Sequence, residues 1–258
     1  MNRDEEQTRH SGCAILFAFL SVCICVHLWL LRGFSSAMKD KWISAKERWA
    51  RKMAGAEKRA VRSTDRLPPG QHEVKDLPVL DLGMKPRVPL EEWRLRVHGL
   101  VEDPVELNWE DLNALTQFED TSDFHCVTTW SQFDVTWAGV AFFTIAELVK
   151  PKPEATHLVF QSYDGYDTNV ELDACMDDDV LIATRLNGEA LPLKHGGPAR
   201  MVIPKLYAWK SAKFLREIRF VDGHQPGYWE KRGYSDTADP WAEDRFRGDT
   251  IPAGFGSD

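Results

Sequence analysis

The sequence predicts an α+β fold with a β-rich core, and three observations support this. The stretch WRLRVHGLVE at 93–102 alternates apolar and polar residues, which is the period of a half-buried strand. Runs of β-forming residues flank Asp164-Gly165 and Asn187-Gly188, dipeptides that are typical of tight hairpins. Helix signals are few and short. The body of the chain is therefore expected to consist of short strands joined by turns.

The other elements follow in chain order. Leu67-Pro68-Pro69-Gly70 ends any preceding helix and starts the globular part, which we expect to span 67–258. Asn108 is expected to cap a short helix through Leu115. The stretch 144–147 (TIAE) has a capping-box pattern, which predicts a helix that opens there and ends before Pro151. Two further strands are predicted after the hairpins, in the stretches ARMVIP at 199–204 and FLREIRFVD at 214–222.

Charge is unevenly distributed along the chain. Residues 32–66 hold eleven Lys or Arg against four Asp or Glu, whereas residues 67–258 hold nineteen against thirty-three. The acidic body disfavours general nucleic-acid binding, because phosphate contacts require a basic face. The basic segment 32–66, read as an amphipathic linker helix, suits an anionic lipid surface, although a solvated helix explains it equally well.

The N-terminus predicts a membrane anchor. A polar stretch at 1–10 precedes 21 residues at 11–31 that contain no Lys, Arg, Asp or Glu, about the length that spans a bilayer. More Lys and Arg follow the segment than precede it, so the globular body is expected to face the cytoplasm. Two alternatives remain: a signal peptide, for which no clear cleavage site is present, and a soluble cytoplasmic protein translated from Met38.

Cys126 and Cys175 are the only two of the five cysteines that lie in the body. They form neither a disulfide framework nor a zinc motif, and a reducing compartment is expected. Cys126 follows His125, but adjacent residues on a strand point to opposite faces, so His125 is badly placed to activate it. A nucleophile, a metal thiolate with its other ligands from a cofactor, and an inert core residue all remain open.

A second candidate feature is the basic segment 194–216. It carries six Lys or Arg and no acid, within an acidic body. The glycines at 196 and 197 permit a close backbone approach, and Arg and Lys are the usual partners of a bound anion. The alternative is chance clustering on a strand and a loop. The spacing matches neither a phosphate loop nor a dinucleotide fingerprint.

Several of these motifs resemble those of the sulfite oxidase-like molybdopterin oxidoreductases. HCVTTWS at 125–131, followed by WAGV at 137–140, is similar to the first signature of that family, and GGPAR at 196–200 with WKSAK at 209–213 is similar to the second. DGYDTN at 164–169 and PGYW at 226–229 resemble a small bacterial branch, related to the molybdenum subunit of the periplasmic methionine sulfoxide reductase. The likeness runs from about residue 67 to residue 241.

This resemblance implies a β-rich, mixed molybdopterin-binding domain of the sulfite oxidase type. Cys126 matches the catalytic cysteine whose thiolate binds molybdenum. The molybdopterin would be held by positions that match cofactor contacts in the family: Ser162, His195, Arg200, Ser211, Ala212 and Lys213. Leu80 and Asp81 fall near a further contact pair. His195 stands where the reductase subunit has an asparagine.

The implied function is a two-electron oxygen-atom transfer at molybdenum, on a small oxo-anion or an S- or N-oxide. Thr128 stands where the reductase subunit has a glutamate facing the substrate, so the sulfoxide preference does not carry over. No fused haem domain or immunoglobulin-like dimerisation domain is recognised, so we expect a monomer with an external haem or quinone-linked electron partner. A cofactor-free binding module and a cysteine hydrolase are the alternatives.

The predicted anchor can be tested by fractionating cells that express the full chain, alongside a control chain that starts at Met38. We expect the full chain in the membrane fraction, because 11–31 is long and apolar enough to span the bilayer, and the control in the soluble fraction. Recovery of the full chain in the soluble fraction would contradict the prediction.

Overall fold

A computed structural model describes residues 66–248. Across that range, no helix is both long and apolar enough to cross a membrane. The predicted span at 11–31, and the basic segment 32–66 except for Arg66, lie outside the described residues.

Eleven strands and two short α-helices are present between residues 66 and 248. The strands are β1 His72–Glu73, β2 Arg94–Gly99, β3 Val105–Asn108, β4 Gln117–His125, β5 Trp130–Ala141, β6 His157–Ser162, β7 Asp167–Glu171, β8 Leu181–Leu186, β9 Glu189–Ala190, β10 Arg200–Val202 and β11 Leu215–Val221. The helices are α1 Trp109–Ala114 and α2 Phe142–Val149. Single 3₁₀ turns occupy Leu172–Cys175, Leu193–His195, Ala208–Lys210 and Glu230–Arg232.

The strands form two mixed sheets. The first has the order β1-β5-β8-β10, with β4 paired to β5 and β9 paired to β8, and the second has the order β3-β2-β11-β6-β7. β1 runs parallel to β5 and β11 runs parallel to β2, whereas the other pairs are antiparallel. The predicted α+β class with a β-rich core is therefore confirmed.

Most of the predicted elements are confirmed. The strand at 93–102 corresponds to β2, and the two hairpins join β6 to β7 and β8 to β9. Asn108 accepts a hydrogen bond from the Asp111 backbone N–H, and the Asp111 carboxylate accepts one from the Asn108 N–H. This reciprocal pair is a full capping box, and it explains why α1 begins where the sequence predicts.

The predicted start of the second helix is wrong. α2 begins at Phe142, and its N-cap residue Ala141 makes no side-chain hydrogen bond. The helix continues directly from β5, and the Phe142 N–H donates to the carbonyl of Val180, 2.9 Å away. Because a neighbouring segment satisfies a free N–H of the first turn, no capping box at Thr144 is needed.

Strands β4 and β5, the longest in the described residues, were not assigned from the sequence. β5 spans twelve residues and buries residues on both of its faces, so its apolar and polar residues do not alternate in a simple pattern. Both strands are nevertheless the central hairpin of the first sheet, and the turn that joins them carries Cys126.

Gly139 explains one part of the first motif. The register of β5 against β8 shifts between Ala138 and Gly139, and a Cβ at 139 would lie 2.0 Å from the carbonyl oxygen of Ile182. The two backbones therefore approach too closely for any side chain. This position needs glycine for space rather than for its freedom of rotation.

We expect Gly139→Ala to lower the free energy of unfolding by about 1–3 kcal/mol, because the added methyl group forces β5 and β8 apart. Gly223→Ala is the matched control, since nothing lies within 4 Å of a Cβ built there. The control should stay within about 0.5 kcal/mol of the original protein. Urea unfolding of both variants measures the difference, and equal stabilities would contradict the steric explanation.

Candidate functional site

A cavity of about 770 Å³ lies beside the β4–β5 turn. The hairpin between β6 and β7, the start of β10 and the 3₁₀ turn at 208–210 also contribute to its wall. Residues of the segments 77–82 and 229–234 also line it, together with His195, Ser211 and Lys213. Distant parts of the sequence, from residue 77 to residue 234, thus meet at one place.

Cys126 opens the turn that joins β4 to β5, and its backbone is held on both sides. Its N–H donates to the carbonyl of Trp130 at 2.9 Å, and its carbonyl accepts from the Thr129 N–H at 3.1 Å and from the Gln71 side chain at 3.1 Å. Thr129 takes a positive φ of 73°, as such a tight turn requires. These bonds fix the direction of the Cys126 side chain toward the cavity.

The Cys126 sulfur is buried, and burial raises the pKa of its thiol. Hydrogen bonds from Thr128 and the positive charge of Lys213 oppose this rise. The Thr128 hydroxyl donates to Sγ at 3.2 Å. His125 is directed elsewhere: its Nδ1 lies 2.8 Å from the Ser131 hydroxyl, and burial lowers the pKa of its imidazole. The adjacent histidine is therefore not aimed at the sulfur as a base.

Arg200 is the main charge of the cavity wall. Its guanidinium is buried, and it donates to the backbone carbonyls of His195, Met201 and Ser211 at 2.9, 3.2 and 2.9 Å. It also lies 5.3 Å from the ring centroid of Trp137. None of the salt bridges between residues 66 and 248 gives it a carboxylate partner. Burial lowers the pKa of Arg200 to about 9.

Two further groups add to this positive region. Lys213 donates from Nζ to the carbonyl of Leu80 at 2.6 Å, and burial together with the charge of Arg200 lowers its pKa to about 8. His195 is buried, and its pKa falls to about 4, mainly through burial and then through the neighbouring cations. At neutral pH the cavity therefore presents two close cations and one neutral imidazole.

The basic segment 194–216 does not act as one unit. Arg200 and Lys213 line the cavity, but Lys205 pairs with Asp177 at 2.7 Å, and Lys210 forms a fully buried ion pair with Glu230. The two glycines permit close approach, but to the protein itself. A Cβ at 196 would lie 2.8 Å from the Lys213 Cβ, and one at 197 would lie 2.2 Å from the carbonyl oxygen of Leu191.

The remaining predicted contacts differ in their placement. Ser211 lines the cavity, and its hydroxyl accepts from the Ile203 N–H at 3.0 Å. Ala212 and Ser162 are buried but do not appear in the cavity wall. Ser162 ends β6 directly before the β6–β7 hairpin, and its buried hydroxyl has no hydrogen-bond partner between residues 66 and 248.

The N-terminal pair does reach the wall. Leu80 and Asp81 both line the cavity, although more than 100 residues separate them from the basic segment. An ion pair with Lys85 and a hydrogen bond from the Gly83 N–H keep the pKa of Asp81 low. The hydrogen bond from Lys213 to the Leu80 carbonyl attaches the segment around Leu80 and Asp81, which contains no strand, to the positive side of the cavity.

The opposite wall, which was not predicted from the sequence, is aromatic. Trp209 and Tyr234 pack edge to face with ring centroids 5.2 Å apart, and Trp229 and Tyr234 pack in a tilted arrangement at 4.8 Å. The exposed Arg232 lies at the mouth. The indole N–H groups of Trp130 and Trp209 are buried and have no partner within 66–248. The only sequence signal for this wall was the high tryptophan content around the motifs.

These features fit an anionic cofactor that brings most of its own metal ligands. No cluster of three His, Cys, Asp or Glu suited to a metal ion occurs in residues 66–248, so Cys126 would be a single protein ligand. A buried arginine without a carboxylate, a nearby lysine and unpartnered indole N–H groups are the donors that a phosphate and a polar ring system would use.

Comparison with known proteins decides the family. Residues 82–229, more than half of the chain, match the oxidoreductase molybdopterin binding domain.

The chain belongs to the molybdopterin-binding oxidoreductase family.

Among the curated relatives of this family member, YuiH of Bacillus subtilis, an uncharacterized oxidoreductase, is 42% identical over 185 residues, which cover 71% of the chain and 93% of YuiH. The catalytic subunit MsrP of the protein-methionine-sulfoxide reductase of Gluconobacter oxydans is 31% identical over 54% of the chain and 50% of its own length. A nitrate reductase (NADPH) of Fusarium oxysporum is 31% identical over 49% of the chain and 17% of that enzyme.

A solved structure shows the same fold. The sulfane dehydrogenase SoxCD of Paracoccus pantotrophus superposes with a TM-score of 0.51 and 23% identity, over 58% of the chain and 42% of the matched chain. The molecule is thus a sulfite oxidase-type molybdopterin oxidoreductase domain. It spans nearly all of YuiH but about half of MsrP, so the activities of the larger relatives are not transferred to it directly.

The lowered pKa of Lys213 predicts a pH dependence of the cofactor-free protein. The folded pKa is about 8 and the ordinary value is 10.5, so between these two values the unfolded chain holds more protons than the folded chain. Folding stability therefore rises with pH across this interval, by at most about 1.4 kcal/mol per pH unit from this group.

Urea unfolding of the cofactor-free protein between pH 8 and 10.5 measures this rise. Lys213→Met should show a shallower rise than the original protein, because the titrating group is gone. A bound anion should also flatten the curve, since it favours the charged lysine. Identical pH curves for the original and Lys213→Met proteins would contradict the burial of a titrating ammonium at this site.

Proposed function

We propose that this family member is a molybdenum enzyme that transfers an oxygen atom to or from a small oxo-anion or an S- or N-oxide, while two electrons pass in the opposite direction. The observation that carries the proposal is the meeting of one buried cysteine with a buried arginine and a half-buried lysine in the same cavity. The relatives named as a methionine-sulfoxide reductase and a nitrate reductase support the substrate class.

The residues of this chain would divide the work of holding the cofactor. Cys126 would give its thiolate to the molybdenum. Arg200 and Lys213 would bind the pterin phosphate, because a guanidinium offers paired donors and an ammonium adds a point charge. His195 and the Ser211 hydroxyl line the same wall and would supply neutral polar contacts. When bound, the cofactor supplies a two-electron redox centre with an exchangeable oxygen.

The protein also controls what surrounds the reaction. Trp209, Trp229 and Tyr234 form an apolar wall that excludes water from the sulfur side of the cavity, which strengthens electrostatic interactions within it. Burial raises the pKa of Tyr234 to about 12, so its hydroxyl stays protonated at neutral pH. The wall therefore faces a substrate without adding charge.

The electrons would be exchanged with an external haem or quinone-linked protein. We further propose that the domain is held at the membrane by the apolar segment 11–31, with the catalytic body on the cytoplasmic side, or is soluble if translation starts at Met38. Sequence charge and hydropathy support this arrangement.

The proposal is tested by Cys126→Ala, with Cys175→Ala as the matched control. Both cysteines are buried, but only Cys126 lines the cavity. We expect Cys126→Ala protein to lose most of its molybdenum, because its one protein ligand is removed, and the control to retain about one atom per chain. Metal analysis of the purified proteins measures this. Full molybdenum in Cys126→Ala would contradict the role of the thiolate.

A substrate panel separates the remaining possibilities. Sulfite, nitrate, a sulfoxide and an N-oxide are offered to the molybdenum-loaded protein with a dye that donates or accepts electrons. Turnover of at least one of them is expected. A purified protein that holds no molybdenum and turns over none of them would instead be a cofactor-free binding module.

A further inference from the structure

Thr128 is aimed at the one sulfur that the proposed metal centre uses. Its hydroxyl donates to the Cys126 Sγ at 3.2 Å, within the range of an O–H···S bond. The side chain is half-buried and lines the cavity, so the bond lies on the side of the sulfur where the cofactor would sit.

The surrounding turn leaves this hydroxyl little freedom. Arg245 donates to the carbonyl of Val127, Gln71 donates to the carbonyl of Cys126 at 3.1 Å, and the Thr129 N–H donates to the same carbonyl. The backbone on both sides of Thr128 is therefore fixed by residues from distant segments. A threonine is also stiff at its first side-chain torsion, because its Cβ is branched.

The direction of the bond has a chemical consequence. A hydroxyl that donates to a thiolate stabilises negative charge on the sulfur, and it does so more strongly when the sulfur gives less electron density to the metal. A reduced metal accepts less density from its thiolate than an oxidised metal does. Hydrogen bonds to ligating sulfur atoms are among the general means by which proteins set reduction potentials.

We propose that Thr128 is a positioning residue that holds the Cys126 thiolate through its hydroxyl and thereby raises the reduction potential of the bound molybdenum. This inference rests on the proposed function, in which Cys126 binds the metal. Thr128 accomplishes this without a charge of its own, so the potential is set without changing the net charge that Arg200 and Lys213 give to the cavity.

The test uses the molybdenum-loaded protein and three variants. Thr128→Val removes the hydroxyl and keeps the branched shape. Thr128→Ser keeps the hydroxyl and removes the methyl group. Thr129→Val is the matched control, since Thr129 is the next residue of the same turn but is exposed and does not line the cavity. Molybdenum content is measured for each protein before the potential.

The readout is the midpoint potential of the molybdenum, from a redox titration followed by the paramagnetic signal of the half-reduced metal. We expect Thr128→Val to shift the midpoint to a lower value. Thr128→Ser should have a midpoint much closer to that of the original protein, and Thr129→Val should leave the midpoint unchanged. This pattern would identify the hydroxyl, rather than the packing of the methyl group, as the cause.

Two results would overturn the inference, and they are distinguishable. If all four proteins hold molybdenum and Thr128→Val has the original midpoint, the hydrogen bond does not set the potential, while the proposed function stands. If the original protein holds no molybdenum and gives no paramagnetic signal, the proposed function fails and the inference fails with it. If Thr128→Val loses the metal and Thr128→Ser retains it, this would support the proposal that the Thr128 hydroxyl holds the Cys126 thiolate in position.

Discussion

A buried positive charge with no carboxylate partner is the constraint on which the site depends. The Arg200 guanidinium is satisfied by three backbone carbonyls and two aromatic rings, which supply hydrogen bonds and polarisable surface but no negative charge. Burying such a charge is costly unless an anion accompanies it. The chain also brings Lys213 close to it, and the lowered pKa values of both groups reflect the cost of holding these charges there. An anionic ligand removes this cost, so the cavity is suited to hold one.

The two sides of the cavity have different origins in the fold. The sulfur side comes from a local device, the tight turn between two long antiparallel strands, and its geometry is fixed by backbone hydrogen bonds around Cys126. The positive side comes from residues far apart in the sequence that the 3₁₀ turns and β10 bring together. A local turn positions Cys126, whereas long-range packing brings Arg200 and Lys213 together. The backbone bonds within the turn are expected to form with the hairpin, whereas the bonds from Gln71 and Arg245 to the turn, and the positive side, require the complete fold.

Much of this arrangement was predictable from the sequence, and the reasons for the exceptions are physical. Alternation and hairpin dipeptides identified β2 and the two tight hairpins because these signals are local. β5 was not identified because it is buried on both faces, which removes the alternation. The cavity cations Arg200 and Lys213 were predicted by resemblance, but Lys210, of the same basic segment, is fully buried against Glu230. Which of several similar lysines faces the cavity is determined by the fold and not by the local sequence. The aromatic wall was not predicted for the same reason, since long-range packing brings its residues together.

The Lys210–Glu230 ion pair has a consequence for how this cavity can evolve. Each member directly adjoins a tryptophan of the aromatic wall, Trp209 or Trp229, and the pair is further bonded to Thr168 and to the carbonyl of Asn169. The charge pair therefore couples the two wall segments, because the loss of either charge alone would leave the other buried and unpaired. A single change at this buried pair is therefore disfavoured, whereas a change at Arg232, on the exposed mouth, leaves neither member of the pair unpaired. Variation among close relatives is accordingly expected at the rim rather than at this pair.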